Sequence, residues 1–271
     1  MRSARHGFIL RELIKRDFHS RYIGSALGVG WAVLHPFWQI LLFSFVFSLV
    51  LKIPPPEDQT TSFAIFLFAG LVPWLGMQEG ISRSANAITD NAMLVQKLSF
   101  PPRLLIFSCV LGGLIQSALS LAILVPILVY RGEFVLSNVG WILVILPFQV
   151  ALSLGLGLGF AALNVFLRDI SQFLTILLNA WFYVTPIVYP LFFVAPGSDA
   201  TPEQVQRVEA ARSVIESNPL TAIVEGYRYA LMGGSSFEPW TLWILSGSAV
   251  AILGLGWWLF EKLAPGFADA L

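Results

Sequence analysis

The stretch 104–130, LLIFSCVLGGLIQSALSLAILVPILVY, contains no charged residue and is apolar almost throughout. A helix needs about 20 such residues to cross the roughly 30 Å hydrocarbon core of a bilayer. A charge at the centre of a spanning helix costs roughly 2.5–3.5 kcal/mol, which accounts for the exclusion. The pattern recurs on both sides of this stretch: 22–51, 59–78, 134–167, 170–198 and 239–260 are also free of charge. Together the tracts predict six transmembrane helices, near 31–51, 60–78, 104–130, 140–165, 170–192 and 240–260. A membrane β-barrel would need alternating segments of about 10 residues, which these tracts lack.

Composition points the same way. Of the 271 residues 56% are hydrophobic and only 12% charged, where a soluble domain carries about 25% charged residues. Mean hydropathy is +0.76. Sixteen basic and sixteen acidic residues cancel, leaving no net field to attract a nucleic acid. The lone cysteine, Cys109, excludes an intrachain disulfide and a CxxC metal or redox site. The expected fold class is an all-α integral membrane protein with a single transmembrane domain over 1–271. Within it, 1–30 forms an N-terminal amphipathic helix and the approach to span one, 31–195 spans one to five, 196–239 an outer polar segment, and 240–271 span six and a tail.

An even number of spans places both termini on one side. Arg2, Arg5, Arg11, Lys15, Arg16, Arg21, Arg83, Lys97, Arg103, Arg168 and Lys262 fall on that side, and only Lys52, Arg131, Arg207, Arg212 and Arg228 on the other. The excess of Lys and Arg on cytoplasmic loops puts both termini in the cytoplasm. The first 30 residues do not read as a cleavable signal, since charges extend to Arg21 and no small-residue cleavage site follows a short apolar core.

The segments between spans carry the remaining information. Leu10, Leu13, Ile14 and Phe18 share one helical face near the N-terminus, with Arg11, Lys15 and Arg16 mostly away from it. Asp17 and Arg21, at i,i+4 spacing, interrupt that face and are placed to pair. Such a helix either rests among the headgroups or docks a cytoplasmic partner. The loop 79–103 exceeds the length of a plain connector, which suggests a contact surface. In the outer segment, Thr201-Pro202-Glu203-Gln204 reads as a capped helix start. Asn218-Pro219 begins a second helix, and Gly233-Gly234 stops it. These two short amphipathic helices between spans five and six either dip into the outer leaflet or form an ordinary cap. Pro186 and Pro190 remove helix hydrogen bonds near the outer end of span five. Broken backbone at membrane depth is tolerated where it is buried or lines a cavity. Gly24–Gly28 and Gly155–Gly159 each form GxxxG, which supports close helix packing.

Catalytic and phosphate-binding motifs are missing. The sequence has no GxxxxGK[ST], HExxH or GxSxG. Of His6, His19 and His35, only His35 lies near a span. The predicted span interiors hold almost no ionisable group of the kind that ion-coupled transporters use as relays. If the chain moves a substrate uphill, the energy comes from another polypeptide.

Several motifs in order resemble one family. The run 16–28, RDFHSRYIGSALG, is followed by Trp31 and Pro36, then by FAGLVPW at 68–74 and KLSFP at 97–101. NVFLRDI at 164–170, TPIVYP at 185–190, NPL at 218–220 and EGYR at 225–228 complete the set. This order, over nearly the whole chain, resembles the polysaccharide-export permeases of the ABC transporter superfamily, membrane subunits that export O-antigen, capsule or teichoic acid. Pro102 departs from the more usual polar residue at that position. The resemblance implies a non-catalytic subunit of a bacterial cytoplasmic membrane, working as a pair of identical permeases with two copies of a separate ABC ATPase. The ATP and Mg sites would lie on the ATPase, and this chain itself would carry no cofactor or metal. The resemblance assigns ATPase coupling to the interface helix at about 8–22 (Arg11, Lys15, Asp17, Arg21) and the loop 79–100 (Glu79, Arg83, Lys97). It makes the two outer helices a gate, carrying Pro202, Pro219, Glu225 and Arg228.

A lipid-linked polysaccharide, O-antigen first among the candidates, would then pass between spans one and five. Aromatic faces stack on sugar C–H faces without reading one hydroxyl pattern, so Phe37, Trp38, Phe43, Trp181, Phe182, Tyr183 and Tyr189 are the candidate path. The competing role for each is an interfacial anchor or a lipid-facing side chain. Arg168 and Asp169, in the short turn between spans four and five, either fix that turn or bind the lipid diphosphate. The other readings of the chain are a drug or small-lipid exporter, a membrane-embedded glycosyl- or acyltransferase, and a scaffold without transport. The transferase needs a cluster of charged or histidine groups at the membrane edge, which the sequence does not offer.

Overall fold

The computed structural model describes residues 2–20, 27–28, 30–54, 60–97, 100–191, 194–195, 201–234 and 237–271, without the side chains of 2–6, 17–20, 32–33 and 97. The described residues form helices joined by turns, with no strand among them. In chain order they are α1 (Arg2–Ser20), α2 (Gly30–Phe43, continued by a π-helical stretch Ser44–Val50), α3 (Phe63–Ala87), α4 (Ala92–Lys97), α5 (Arg103–Arg131) and α6 (Gly140–Phe166). Then come α7 (Ile170–Val184), α8 (Pro202–Glu216), α9 (Pro219–Met232), α10 (Thr241–Leu263) and α11 (Phe267–Ala270). Four segments are long and apolar enough to cross a membrane: Phe63–Ala87, Arg103–Arg131, Leu136–Phe166 and Thr241–Ala270. Leu34–Val50 and Ile170–Val184 are apolar but shorter. Trp240, which caps α10, and Trp243 at one end and Trp257 and Trp258 at the other are exposed. At 1.5 Å per residue, Trp240 and Trp258 stand about 27 Å apart, the spacing of two aromatic belts.

Helix α3 is the most enclosed of the four long apolar helices. Gly76, Gly80 and Ser84 recur every fourth residue and form a stripe of small groups. A Cβ on Gly113 of α5 would sit 2.1 Å from the Gly76 carbonyl oxygen, and one on Gly80 would sit 3.1 Å from the Val110 Cα. On the α6 side, a Cβ on Gly157 would meet the Ser84 Oγ at 2.9 Å. Lipid offers no hydrophobic drive between helices, so such backbone approach and the packing it permits supply the cohesion. Ser117 adds a hydrogen bond from its Oγ to the Val72 carbonyl, 3.0 Å. The GxxxG at Gly155–Gly159 lies on the contact with α10, where a Cβ on Gly155 would fall 2.5 Å from the Ile252 carbonyl oxygen.

Two expectations need correction. The loop expected at 79–103 begins only after Ala87, because α3 continues through Glu79 and Arg83. Those two side chains form an i,i+4 ion pair at 3.8 Å, and the small-residue stripe carries the packing past them. Helix α9, expected to be amphipathic, is enclosed on nearly every side, from Leu220 through Met232. Helix α8 has no buried residue and carries the capping box of Thr201 and Gln204. Helix α7 stops at Val184, and Thr185 is extended (φ −90°, ψ 138°).

The two ends of the bundle are built differently. At one end Leu13 of α1 and Phe267 of α11 share an apolar cluster with Ile88, Leu105, Ala162 and Phe260, so both ends of the described chain meet there. Arg103 pairs with Glu261 at 2.7 Å, tying α5 to α10. At the other end Gly132, left-handed at φ 71°, closes α5 in a conformation that costs glycine little. Beside it Glu133 accepts hydrogen bonds from the Thr60 Oγ1 at 2.8 Å and from the Thr61 backbone N–H and hydroxyl, and pairs with Arg131. Burial works to raise the Glu133 carboxyl, but the hydrogen bonds from Thr61 and Thr60 and the Arg131 charge outweigh it, so it lies below the ordinary carboxylate range. A depressed carboxylate contributes stability that is complete above its unfolded-state pKa and lost as pH falls through the folded one. Glu133→Gln therefore lowers thermal stability at neutral pH, and the difference from wild type vanishes as the medium is acidified. A constant difference across that titration would contradict the role.

Candidate substrate path and coupling end

The outer end of α7 is held by side chains that replace its missing helix bonds. Pro190 has no N–H to offer the Pro186 carbonyl, and the helix has already ended at Val184. Arg228 of α9, fully buried, fills the gap. Its Nη1 donates to the Pro186 carbonyl at 2.7 Å and to the Glu225 carboxylate at 2.6 Å. Nη2 donates to the Ile187 carbonyl at 2.7 Å, and Nε to the Phe66 carbonyl of α3 at 3.2 Å. The guanidinium also lies 3.6 Å from the centre of the Phe66 ring. Gly70 leaves the space, since a Cβ there would meet Nη2 at 2.6 Å. Asn218, the cap of α9, accepts the Trp181 indole N–H at 2.8 Å and donates to the Thr185 hydroxyl at 2.9 Å. Tyr227 donates to the Gln149 Oε1 of α6 at 2.7 Å. Helix α9 thus joins α3, α6 and the broken end of α7. The run of residues 218–228 was legible as a capped helix; its burial was not, and the orphaned carbonyls implied by Pro186 and Pro190 were the available signal.

The seven candidate path aromatics divide. Phe37, Trp38 and Tyr183 are exposed, Trp38 at 63% and Tyr183 at 68%. Phe43, Trp181, Phe182 and Tyr189 are partly buried and engaged. Phe43 meets Phe47 edge to face, and Trp181 and Phe182 pack on Trp74 at 6.3 and 5.8 Å. The Tyr189 hydroxyl reaches the Tyr183 and Val184 carbonyls. Three rings are therefore exposed, although Tyr183 also meets Phe182 edge to face at 5.1 Å, and four serve the packing of α7 and its neighbours.

At the opposite end, Arg11 and Lys15 are exposed on α1, while Leu13 is buried against α3 and α5. Arg16 donates to the Asn91 Oδ1 at 2.9 Å, which brings α1 onto the segment that follows α3. Arg21 lies outside the described residues, as do the side chains of Asp17 and Lys97. Arg168 and Asp169 are exposed. The turn they occupy is held by Asn164, whose Oδ1 accepts the Ser171 N–H at 3.1 Å and whose Nδ2 donates to the Asn86 Oδ1 at 3.1 Å. Asn164→Ala removes that remote cap of α7 and lowers stability by about 1–2 kcal/mol, read as a lower unfolding temperature in detergent; Asp169→Ala leaves it unchanged. Pro202 is exposed at the start of α8, Pro219 is partly buried, and Glu225 and Arg228 are buried.

The described residues thus form a bundle of long apolar helices with a clamped, broken helix at one end and a basic helix at the other. Residues 10–198 match the ABC-2 type transporter family, and the chain belongs to it. It is 28% identical over 264 residues to the O-antigen export system permease protein RfbA of Myxococcus xanthus, covering 97% of this chain and 95% of that protein. A protein of the same name from Klebsiella pneumoniae is 28% identical over 265 residues, with the same coverage. The polysialic acid transport protein KpsM of Escherichia coli is 26% identical over 264 residues, covering 95% of this chain and 96% of that protein.

Proposed function

We propose that the chain is the membrane-spanning permease subunit of an ATP-driven exporter of lipid-linked polysaccharide, O-antigen first among the substrates. The observation that carries this is the match, over nearly the full length, to permeases named for O-antigen export and for polysialic acid transport. The working unit is a pair of these chains with two copies of a separate ABC ATPase, which holds ATP and Mg. Six spans cross the bacterial inner membrane, namely α2 with its π-helical continuation, α3, α5, α6, α7 and α10, with both termini cytoplasmic. The basic α1 and the segment after Ala87 face the ATPases.

The contacts supply a route for force. A push on α1 reaches α5 through Leu13 and the end of α3 through the Arg16–Asn91 bond. The Arg103–Glu261 pair carries it to α10. The polymer slides along the exposed rings of Phe37, Trp38 and Tyr183, and exposed Arg168 meets the lipid diphosphate. Helix α8, with no buried residue, is the part of the outer gate free to move, while α9 is its anchor.

The test is reconstitution. The permease is purified with its ATPase, the co-extracted glycolipid is identified, and ATP-dependent arrival of that glycan inside inverted proteoliposomes is measured. Transport without the ATPase, or none with it, would refute the reading. Trp38→Ala combined with Tyr183→Ala slows transport about tenfold, the effect of roughly 1.4 kcal/mol of lost stacking, with the unfolding temperature unchanged. Wild-type transport in that variant would remove the stacking role alone.

A further inference from the structure

Two cavities lie along the groove between α3 and α5. One, of about 630 Å³, sits under α1, with Arg16, Arg83, Asp90 and Asn91 among its walls. The other, of about 450 Å³, lies where α2 crosses the groove. Trp31 and His35 of α2 form one wall of this second cavity. Leu75, Gln78, Glu79 and Ser82, all on one face of α3, form another, and Gln116 of α5 closes it. We propose that this second cavity is a sugar-ring subsite in each protomer, separate from the exposed aromatics. The proposal rests on the function argued above and names where, on the cytoplasmic half, the glycan is first held.

The chemistry of the walls selects a polyol. Glu79 is paired with Arg83, so the lining offers no excess charge for a free phosphate or an ammonium group. Gln78 presents an amide donor and a carbonyl acceptor and Ser82 a hydroxyl that does both, and Gln116 adds a polar wall opposite them. A sugar hydroxyl is likewise donor and acceptor. Trp31, 44% exposed, provides the flat face against which a sugar C–H face packs. The volume falls within the roughly 300–1,000 Å³ of small-ligand sites. The neighbouring cavity has Arg16, Arg83 and Asp90 in its wall and no aromatic face.

Ser82 lines both cavities, and Cys109 is the one cysteine of the chain, so Ser82→Cys with Cys109→Ser gives a single reporter thiol. The permease–ATPase complex carrying it, held in lipid nanodiscs, is treated with a charged methanethiosulfonate reagent. The probes are mannotriose, α2,8-linked disialic acid and, as control, tetraethylene glycol. At least one saccharide slows modification about fivefold, near 1 kcal/mol, and the glycol does not. Adding Gln78→Ala with Gln116→Ala abolishes the protection and leaves the unprotected rate close to its former value. The proposal is overturned if neither saccharide protects, if the glycol protects equally, or if protection survives loss of both amides. Glycan export is measured on the same complex. Export without protection removes the subsite and spares the transport function, whereas no export from the wild-type complex removes the function itself.

Discussion

Replacing Arg228 with methionine leaves little folded protein. The substitution strands the Glu225 carboxylate in a buried site and releases the carbonyls of Phe66, Pro186 and Ile187 together. Breaking a buried ion pair by removing one partner costs about 3–5 kcal/mol, and each orphaned carbonyl adds about 1–3 kcal/mol. The total approaches the whole stability of a typical domain. Arg228→Lys fails as well, since a point charge with three donors on a flexible stem does not reproduce the planar fork that spans four acceptors. Adding Glu225→Gln to Arg228→Met recovers the part owed to the stranded charge and no more, because the carbonyls remain unmet. Yield of monodisperse protein and unfolding temperature in detergent rank the variants. Wild-type yield for Arg228→Met would show that the clamp does not hold the fold.

Gly113→Leu is expected to be comparably severe. The added Cβ would lie 2.1 Å from the Gly76 carbonyl oxygen of α3, and backbone cannot rotate out of the way as a side chain can. The loss exceeds the roughly 1–3 kcal/mol of ordinary overpacking, because α5 must withdraw from α3 along the small-residue stripe. Gly254→Ala on α10 is the matched control, since a Cβ there meets nothing within 4 Å. It should be neutral or slightly stabilising, given the roughly 1 kcal/mol advantage of alanine over glycine inside a helix. Thermal unfolding of the two variants in one detergent decides the matter. Equal behaviour would mean that α3 and α5 are not held at backbone distance.

The sequence discloses features that repeat locally. Charge-free tracts mark the apolar helices, because a charge in hydrocarbon is penalised wherever it occurs. Thr201 and Asn218 announce α8 and α9 because a cap acts within three residues of itself. Long-range partners leave no such local mark. Glu79 and Arg83 look like loop charges until α3 is seen to continue through them, paired and flanked by small residues. Arg228 and Glu225 read as polar groups of an outer gate, yet Arg228, besides pairing with Glu225, takes its carbonyl partners from α3 and the segment after α7, far away in the chain. Asn164 holds the turn that charge alone would assign to Arg168 and Asp169. Aromatic residue type does not distinguish Trp181, which packs on Trp74, from Tyr183, which faces outward.

Helix α7 has 15 residues, about 22 Å of length at 1.5 Å per residue, beside a hydrocarbon layer of about 30 Å. On the reading proposed above, in which α7 is a span, hydrophobic mismatch where it faces lipid draws the two leaflets toward each other. A headgroup travelling along that flank crosses a shorter oily distance than it would beside α5, so the toll on its passage falls where the wall of the protein is lowest.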